Sequence, residues 1–408
     1  MVIMPRENTI YDEEQVPTFD LPDPLVAEDG QPVTDAGAWT QKRRPEILQL
    51  FKTHVFGEMP ALLPDTSFVT TEEGHALGGR VRRRQINAQF APDGPSMEIL
   101  LYLPADSGGP VPIFLGLNFF GNHTVMLDPE IHLNTGWMRA EQKNGIVDHR
   151  ATIDSRGCLS SRWCIDEIVA RGYGVATVYS GDLDPDYDDG YQNGIHPLFF
   201  RQGQNRPAPN EWGTIGAWAW GLSRAMDYLQ TDADVDPDRI AAFGLSRLGK
   251  TSLWAGACDE RFALVISNES GCGGAALSRR RFGETVKDIN ETFPHWFCDI
   301  FRRYNDAEDT LPVDQHMLLA LCAPRPLYVA SAVDDHWSDP RGEFLAALAA
   351  DPVYRLLGTS GLPVEQMPAV DQPVMGRIGY HIRSGYHDIN AYDWAQYLDF
   401  ADLHWGDR

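Results

Sequence analysis

The sequence is poor in cysteine and has no long apolar runs. It holds 6 cysteines in 408 residues, and no two of them have the Cys-x-x-Cys spacing of zinc or redox sites. So few cysteines cannot form a disulfide scaffold, and we expect buried free thiols. No apolar stretch is long enough to span a membrane, and the first residues lack the pattern of a leader peptide. We therefore expect a soluble chain without an export signal, and its cellular location is left open.

Basic residues are also scarce. Lys and Arg number 34 against 58 Asp and Glu, which gives a formal net charge of −24. The densest basic run is only three arginines long, at 279–281. Such a chain repels phosphate backbones, so nucleic acid is excluded as a partner, and nothing implies a protein partner.

What the sequence does hold is apolar material for a large packed core. Hydrophobic residues make up 43% and aromatic residues 11% of the chain. No internal repeat or flexible linker divides it. We predict an irregular lead-in over residues 1–35, lying on the surface with no part in function, and a single domain over residues 36–408.

Short β-prone runs alternate with helical patterns along this domain. Apolar residues recur at steps of three and four over 212–229, which predicts a helix. Alternation of this kind predicts an α/β fold: a mostly parallel central sheet with helices on both faces, as a three-layer sandwich. The predicted strands are 97–103, 111–118, 174–179, 239–244, 263–267 and 326–331.

Ser246 is the candidate nucleophile. It stands two residues after Gly244, between a predicted buried strand and a helical segment, as on the nucleophile turn of the α/β-hydrolase fold. The match is partial, because Arg247 and Leu248 separate Ser246 from the next glycine. Two alternatives are open from the residues alone. Ser246 could merely cap the helix, or the run from Gly244 to Thr251 could be a phosphate-binding loop.

A serine nucleophile needs a histidine base and an acid that orients it. The chain order on an α/β-hydrolase sheet favours a histidine near the C-terminus, and His387 lies in a Gly-led loop before a helical run. His381 and His404 also qualify by position, but we expect structural roles for both. Carboxylates follow two of the predicted strands, at Glu269 and at the Asp334 and Asp335 pair.

Several motifs in combination resemble the glucuronoyl esterases of carbohydrate esterase family 15, in their bacterial form. The resemblance runs from about residue 54 to 394 and displaces the phosphate-loop alternative. The motifs are Gly-x-Ser-Arg-x-Gly-Lys at 244–250, Asn-Glu-Ser-Gly-Cys-Gly-Gly at 268–274, Gly-Glu-Thr-Val at 283–286, Leu-Pro-Val-Asp-Gln-His at 311–316 and Ala-Pro-Arg-Pro-Leu-Tyr-Val-Ala-Ser at 323–331.

The resemblance implies a role for each candidate. Glu269 is preferred as the triad acid, with Asp335 as the alternative and Asp334 as a weaker one, and a mixed arrangement in which either acid orients His387 is left open. Gln315 is a weaker sugar contact, and a buried structural glutamine is equally compatible with the sequence. The implied set is Ser246 as nucleophile, His387 as base, Arg247 in the oxyanion hole, and Lys250, Glu284 and Trp337 around the glucuronate ring.

The expected activity is that of a serine esterase. By resemblance it cleaves the ester between 4-O-methyl-D-glucuronic acid of glucuronoxylan and an alcohol of lignin, so its partners are glucuronoxylan or lignin–carbohydrate fragments. No cofactor is expected, and no residues have metal-ligand spacing. Two alternatives are another carbohydrate esterase, such as an acetylxylan esterase, and a catalytically silent carbohydrate-binding domain.

Overall fold

The computed structural model of the chain describes residues 9–61 and 65–406. The N-terminal residues considered above for a leader, and the first eight residues of the lead-in, lie outside the described residues. The strands are β1 (Ser67–Ala76), β2 (Val81–Gln89), β3 (Ser96–Pro104), β4 (Val111–Asn118), β5 (Ile146–Val147), β6 (Arg150–Ala151), β7 (Gly174–Tyr179), β8 (Val235–Leu245), β9 (Leu264–Asn268), β10 (Leu327–Ala332), β11 (Val374–Met375) and β12 (Ile378–Arg383).

Ten of these strands form one sheet in the order β1-β2-β3-β7-β4-β8-β9-β10-β12-β11, and β5 pairs with β6 separately. Neighbours from β7 to β12 run parallel. The other pairs of the large sheet are antiparallel. The carboxyl ends of the six parallel strands therefore share one edge, which is where an open α/β sheet carries its site.

The helices are α1 (Ala36–Ala38), α2 (Arg44–Phe51), α3 (Ile165–Ala170), α4 (Ser180–Leu183), α5 (Thr214–Leu229), α6 (Arg247–Cys258), α7 (Val286–Thr292), α8 (Gln315–Ala320), α9 (Pro340–Leu356) and α10 (Ala391–Trp405). Two π-helical segments, Trp39–Arg43 and Lys52–Phe56, continue α1 and α2. Helix α5 confirms the helix predicted over 212–229, and its apolar face is buried from Thr214 to Leu229.

Two separate apolar cores show that helices cover both faces of the sheet. Leu115 on β4 packs in the core that holds residues of α5, α6, α8 and α9. Phe114, the preceding residue, packs in the core that holds residues of α3 and α10. Since successive side chains of a strand point to opposite faces, the molecule has three layers. The α/β-hydrolase prediction, with its mostly parallel sheet, is confirmed.

The described part of the lead-in is irregular but tied to the domain. It holds a short helical turn at Glu13–Gln15. Ile10 forms an isolated β-bridge with Phe282, and the Glu13 carboxylate accepts a hydrogen bond from the buried Arg280 at 2.7 Å. The segment thus lies against residues 280–283.

Both edges of the large sheet are modified. On one edge, β1 is mostly exposed and carries a bulge between Thr70 and Glu72. On the other edge, β11 has only two residues. Among the described residues, no helix is long and apolar enough to cross a membrane. All six cysteines are free thiols; four are buried, as expected, and Cys158 and Cys258 are partly buried.

Candidate active site

Ser246 alone forms the turn between β8 and α6. Its backbone has φ 60° and ψ −128°, a strained conformation for a residue with a side chain. Its side chain makes no capping hydrogen bond to α6, so the structure does not use it as a helix cap. Its N–H donates to the carbonyl of Asn268 at 2.8 Å, which holds the turn against the end of β9. The hydroxyl is thus presented at the carboxyl edge of the sheet, as an exposed nucleophile requires.

The sharpness of this turn depends on Gly244. A Cβ atom on Gly244 would lie 2.0 Å from the carbonyl oxygen of Leu248, so any larger residue would push α6 away from β8. Helix α6 therefore begins close to the strand end. The N–H groups of Gly249 and Lys250 donate to the Ser246 carbonyl, and the first N–H groups of a helix are the ones available to an oxyanion at its start.

Four neighbouring strands bring the triad candidates together. Ser246 follows β8, Glu269 follows β9, Asp335 lies three residues after β10, and His387 lies in the loop after β12. These strands are consecutive in the sheet. Asn268 links the two ends of the site, because its side-chain amide donates to the carbonyl of Asp388 at 3.1 Å while its backbone carbonyl accepts from the Ser246 N–H.

His387 contacts two carboxylates through one ring nitrogen. Its Nδ1 lies 2.7 Å from Oδ2 of Asp335 and 3.2 Å from Oε2 of Glu269. Because ionised carboxylates only accept hydrogen bonds, we assign the proton to Nδ1, which leaves Nε2 free to take a proton from a nucleophile. The side chain is 40% exposed, so substrate can reach it.

The two acids differ in their electrostatic surroundings. Burial opposes ionisation of Asp335, but the hydrogen bond and positive charge of His387 outweigh it and lower the pKa of Asp335. Burial raises the pKa of Glu269, and the Arg383 guanidinium opposes that rise. Distance and charge therefore both favour Asp335 as the principal acceptor from His387, whereas the sequence analysis preferred Glu269.

The other acid and histidine candidates lie apart from this cluster. The Asp334 side chain is exposed, and the Asp334 backbone N–H donates to the carbonyl of Gly385 at 3.1 Å. His381 is fully buried between Tyr328 and Asp393. His404 contacts the Gly376 carbonyl at 2.8 Å. The structure places both of these histidines in the structural positions that we expected.

Arg247 lies beside the nucleophile with its guanidinium held in place. It donates to the carboxylate of Asp186 and lies over the ring of Trp296, 4.7 Å from the ring centroid. Asp186 also accepts hydrogen bonds from the Trp296 indole at 2.8 Å and from His295 at 3.2 Å. The Nε atom of Arg247 is buried and has no hydrogen-bond partner, so one donor remains for an oxyanion.

A polar cluster borders Ser246 on the side of α6. The Lys250 ammonium is buried and donates to the carbonyl of Ser270. It therefore does not extend over the 244–251 turn as the lysine of a phosphate-binding loop would. Burial raises the pKa of Glu284 to about 7, while Lys250 and a hydrogen bond from the Trp337 side chain oppose the rise. The Glu284 N–H donates to the Trp337 carbonyl at 3.0 Å, which fixes these two residues together. The cluster offers donors, acceptors and an aromatic ring to a sugar.

Gln315, the weaker sugar-contact candidate, lies against the loop that follows Glu269. It is fully buried at the start of α8, and its amide donates to the carbonyl of Gly274 at 2.6 Å. Its Oε1 atom is buried without a partner. The contact with Gly274 supports the loop that follows Glu269, in keeping with the structural alternative.

One group among the described residues has the geometry of metal ligands, and it consists of the candidate base and the two candidate acids. Glu269, Asp335 and His387 each offer one atom within 4.8 Å of the others. These atoms already bind one another or Arg383, and the arrangement fits proton transfer without an ion.

Sequence reasoning missed two residues that hold the site. Asp186, which binds Arg247, lies in an acidic loop whose position the sequence could not give. Arg383, which binds Glu269 at 2.6 Å, lies at the end of the strand that leads to His387. For Arg383, the sequence signal was an arginine four residues before His387, at the end of a β-prone run.

Comparison with known proteins gives one family and several relatives. A family model described as fungal glucuronyl esterase matches residues 205–358. A carbohydrate esterase from an unknown prokaryotic organism is 54% identical over 396 residues, which cover 97% of this chain and 91% of that protein. A 4-O-methyl-glucuronoyl methylesterase of Schizophyllum commune is 28% identical, over 83% of this chain and 74% of the relative.

Solved structures agree with these matches over nearly the whole chain. A structure described as a promiscuous esterase of carbohydrate esterase family 15, from a marine bacterial metagenome, is 54% identical with a TM-score of 0.92. The match covers 97% of this chain and 100% of that one. A glucuronoyl esterase of Solibacter usitatus is 49% identical with a TM-score of 0.91, over 96% of this chain and 100% of its own.

Proposed function

Because the chain belongs to the glucuronoyl esterases of carbohydrate esterase family 15, we propose that it is a serine esterase that hydrolyses esters of 4-O-methyl-D-glucuronic acid. Relatives that carry the name 4-O-methyl-glucuronoyl methylesterase support this substrate. The observation that carries the proposal is the position of Ser246, His387 and two carboxylates at the carboxyl ends of four adjacent strands, with both carboxylates in contact with His387 and with Lys250 in the first turn of α6.

In the first half of the reaction Ser246 attacks the ester carbonyl. His387 Nε2 takes the hydroxyl proton, and Asp335, hydrogen-bonded to Nδ1, stabilises the imidazolium that forms. The carbonyl oxygen becomes an oxyanion, which Arg247 and the N–H groups at the start of α6 stabilise. The alcohol then leaves with the proton from His387, and Ser246 carries the glucuronoyl group as an ester.

In the second half a water molecule repeats the sequence. His387 removes a proton from water, the hydroxide attacks the acyl group, and a second oxyanion forms at Arg247. Collapse of this intermediate returns the proton to Ser246 and releases glucuronic acid, which ionises. These steps use groups of the chain, the ester substrate and one water molecule.

The acyl side of the substrate is assigned to the cluster of Lys250, Glu284 and Trp337. A glucuronate ring presents hydroxyl groups around its edge and C–H groups on its faces. An ammonium, a carboxyl group and an indole can bind both, since they supply donors, acceptors and an aromatic surface. For the alcohol side we propose an alcohol of lignin, with glucuronoxylan as the natural carrier of the ester.

Hydrolysis of benzyl glucuronate by the wild type and by Ser246→Ala tests the proposal. Methyl glucuronate and 4-nitrophenyl acetate are measured alongside. We expect the wild type to favour the glucuronate esters, and Ser246→Ala to lose at least about 10⁴-fold in kcat/KM, because Ser246 carries the acyl group in this mechanism. Ser252→Ala is the matched control, since this buried α6 hydroxyl contacts only backbone carbonyls, of Gly249 and Ile266.

The three substrates separate the competing functions. Hydrolysis of the acetate alone would point to another carbohydrate esterase, such as an acetylxylan esterase. Binding of xylan fragments without hydrolysis would point to a carbohydrate-binding domain. Retention of glucuronate esterase activity by Ser246→Ala would remove Ser246 from the mechanism.

A further inference from the structure

Arg383, the last residue of β12, is a buried cation around which the His387 loop is folded. It is 3% exposed. Its guanidinium donates to the carbonyls of Ser384 at 3.1 Å, Tyr386 at 3.0 Å and Asp388 at 2.6 Å. Two of these carbonyls belong to the residues on either side of His387. The path of the loop at the imidazole is therefore set by one side chain.

The same guanidinium joins two buried carboxylates. It donates to Oε1 of Glu269 at 2.6 Å, and its Nε donates to both oxygens of Asp393, at 3.0 and 3.1 Å. Glu269 and Asp393 are 1% and 0% exposed. Asp393 also accepts a hydrogen bond from the Asn390 N–H at the start of α10, so Arg383 connects the loop to the helix that follows it.

Glu269 is a costly group to keep charged at this position. A buried carboxylate is stable only when it is paired and hydrogen-bonded. Its partners are Arg383 on Oε1 and the Asp388 N–H on Oε2, at 2.9 Å, with His387 Nδ1 at 3.2 Å. The charged or titratable groups that face Glu269 are Arg383 on β12, Asp335 after β10, Glu343 on α9, Asp393 on α10 and His387. Arg383 is the one permanent cation among them.

We propose that Arg383 is a positioning residue of the esterase reaction: it fixes the His387 loop through backbone carbonyls and supplies the positive charge that Glu269 requires beside the imidazole. Asp335 is thereby left to accept the main hydrogen bond from Nδ1. Arg383 itself does not touch the substrate. The proposal rests on the proposed function only in taking His387 as the catalytic base.

Arg383→Lys and Arg383→Met separate the two parts of this role. Lysine keeps a charge but cannot reach all the carbonyls with a planar fork, so we expect kcat to fall about 10-fold at every pH with KM within 2-fold. Methionine removes the charge as well. Without its counter-ion Glu269 takes a proton at a higher pH, so the acidic limb of the kcat/KM profile should move to higher pH.

Arg325→Lys is the matched control. Arg325 also donates to backbone carbonyls, those of Cys322, Gly256 and Phe262 among them, but it precedes β10 at the opposite end of the sheet from Asp335. We expect Arg325→Lys to lower the melting temperature and to leave kcat and the pH profile unchanged. A merely structural Arg383 would behave in the same way.

The proposal is overturned if folded Arg383→Lys has the kcat and the pH profile of the wild type. If either single variant does not fold, the double variant Arg383→Met with Glu269→Gln decides. It removes the two charges of a buried pair together, which is better tolerated than the loss of one. Its reference is Glu269→Gln alone: a kcat of the folded double variant clearly below that of Glu269→Gln supports the proposal, and an equal kcat rejects it.

A second measurement, the labelling rate of Ser246, separates failure of the proposed substrate from failure of the Arg383 proposal. The rate at which a fluorophosphonate labels Ser246 depends on His387 but not on a sugar site. If the wild type does not hydrolyse benzyl glucuronate, the substrate proposal fails. Slower labelling of Arg383→Lys would then still support the positioning role, and unchanged labelling would reject it.

Discussion

At the scale of single residues, His387 has two carboxylates where a hydrolytic triad needs one. Asp335 is closer to Nδ1, at 2.7 Å against 3.2 Å for Glu269, and Glu269 is also bound by Arg383. Asp335 therefore makes the shorter hydrogen bond to His387, whereas the charge of Glu269 is shared with Arg383. Glu269 stabilises the same imidazolium from a longer distance.

We expect Asp335→Asn to lower kcat about 10³-fold on benzyl glucuronate and Glu269→Gln to lower it about 10-fold. The first change removes the acceptor that orients His387, and the amide can favour the wrong tautomer. Steady-state kinetics at pH 7 measure both values. A greater loss in Glu269→Gln would make Glu269 the principal acid.

Asp334→Asn is the control for this comparison. Asp334 is the exposed neighbour of Asp335, so its replacement removes the same charge without touching His387. We expect kcat to change by less than 2-fold. An equal loss of kcat in Asp334→Asn and Asp335→Asn would show that the loss comes from the missing negative charge and not from the hydrogen bond to His387.

Single residues were predictable where the signal is local. Ser246 and His387 stand in short motifs next to strand ends, and the sequence alone indicated both. Asp186 and Arg383 gave no such signal, because each acts through a partner that only the fold brings near. The Arg383 and Glu269 side chains meet across 114 positions of sequence.

At the scale of elements, the N-terminal segment reaches the sugar side of the site. The Gly283 N–H donates to the Ile10 carbonyl at 2.9 Å, next to Glu284, and the Tyr11 ring lies 6.2 Å from the His336 ring, next to Trp337. The segment therefore contacts the residues adjacent to two proposed sugar contacts. From this position we predict a role for the lead-in in substrate binding, whereas the sequence analysis expected none.

We expect deletion of residues 1–16 to raise KM for benzyl glucuronate about 5-fold, because the loops that hold Glu284 and Trp337 lose their packing. Turnover of 4-nitrophenyl acetate, which has no sugar ring, should stay within 2-fold. Kinetics on both esters measure the difference. Equal changes on the two substrates, or none, would show that the segment does not act on the sugar side.

Elements were predictable in proportion to their apolar content. The six predicted strands are buried on both faces, and their continuous apolar runs made them visible. Strands β1 and β2 were not predicted, because they are rich in charge. Arg83 and Arg84 on β2 bind Glu72 and Glu73 on β1, and such cross-strand pairs form only once the strands are aligned.

At the scale of the whole molecule, a chain of net charge −24 also encloses carboxyl groups in its interior. Glu343 on α9 is fully buried, 3.0 Å from the Gly271 N–H and 2.6 Å from the Ser331 hydroxyl. Burial raises its pKa to about 8 from a usual value of 4.5. The folded state then holds a proton that the unfolded state has released, so the free energy of unfolding falls as pH rises between these values.

We expect the pH dependence of stability to be weaker in Glu343→Gln. Glutamine keeps the hydrogen bonds but does not ionise, so the loss of about 1.4 kcal/mol per pH unit between pH 5 and pH 8 should be removed. Denaturant unfolding at several pH values measures it. Exposed Glu365→Gln is the control, and equal slopes in wild type and Glu343→Gln would assign the effect to the surface charge instead.

The edges of the large sheet bear on how the protein behaves in crowded solution. An open sheet invites strand addition from another copy, which is the first step towards fibrils. Here the bulge in β1 interrupts the regular backbone pattern that an incoming strand would need, and β11 offers only two residues as a template. The excess negative charge adds repulsion between copies. We therefore expect the folded protein to stay dispersed at high concentration and to aggregate only after unfolding.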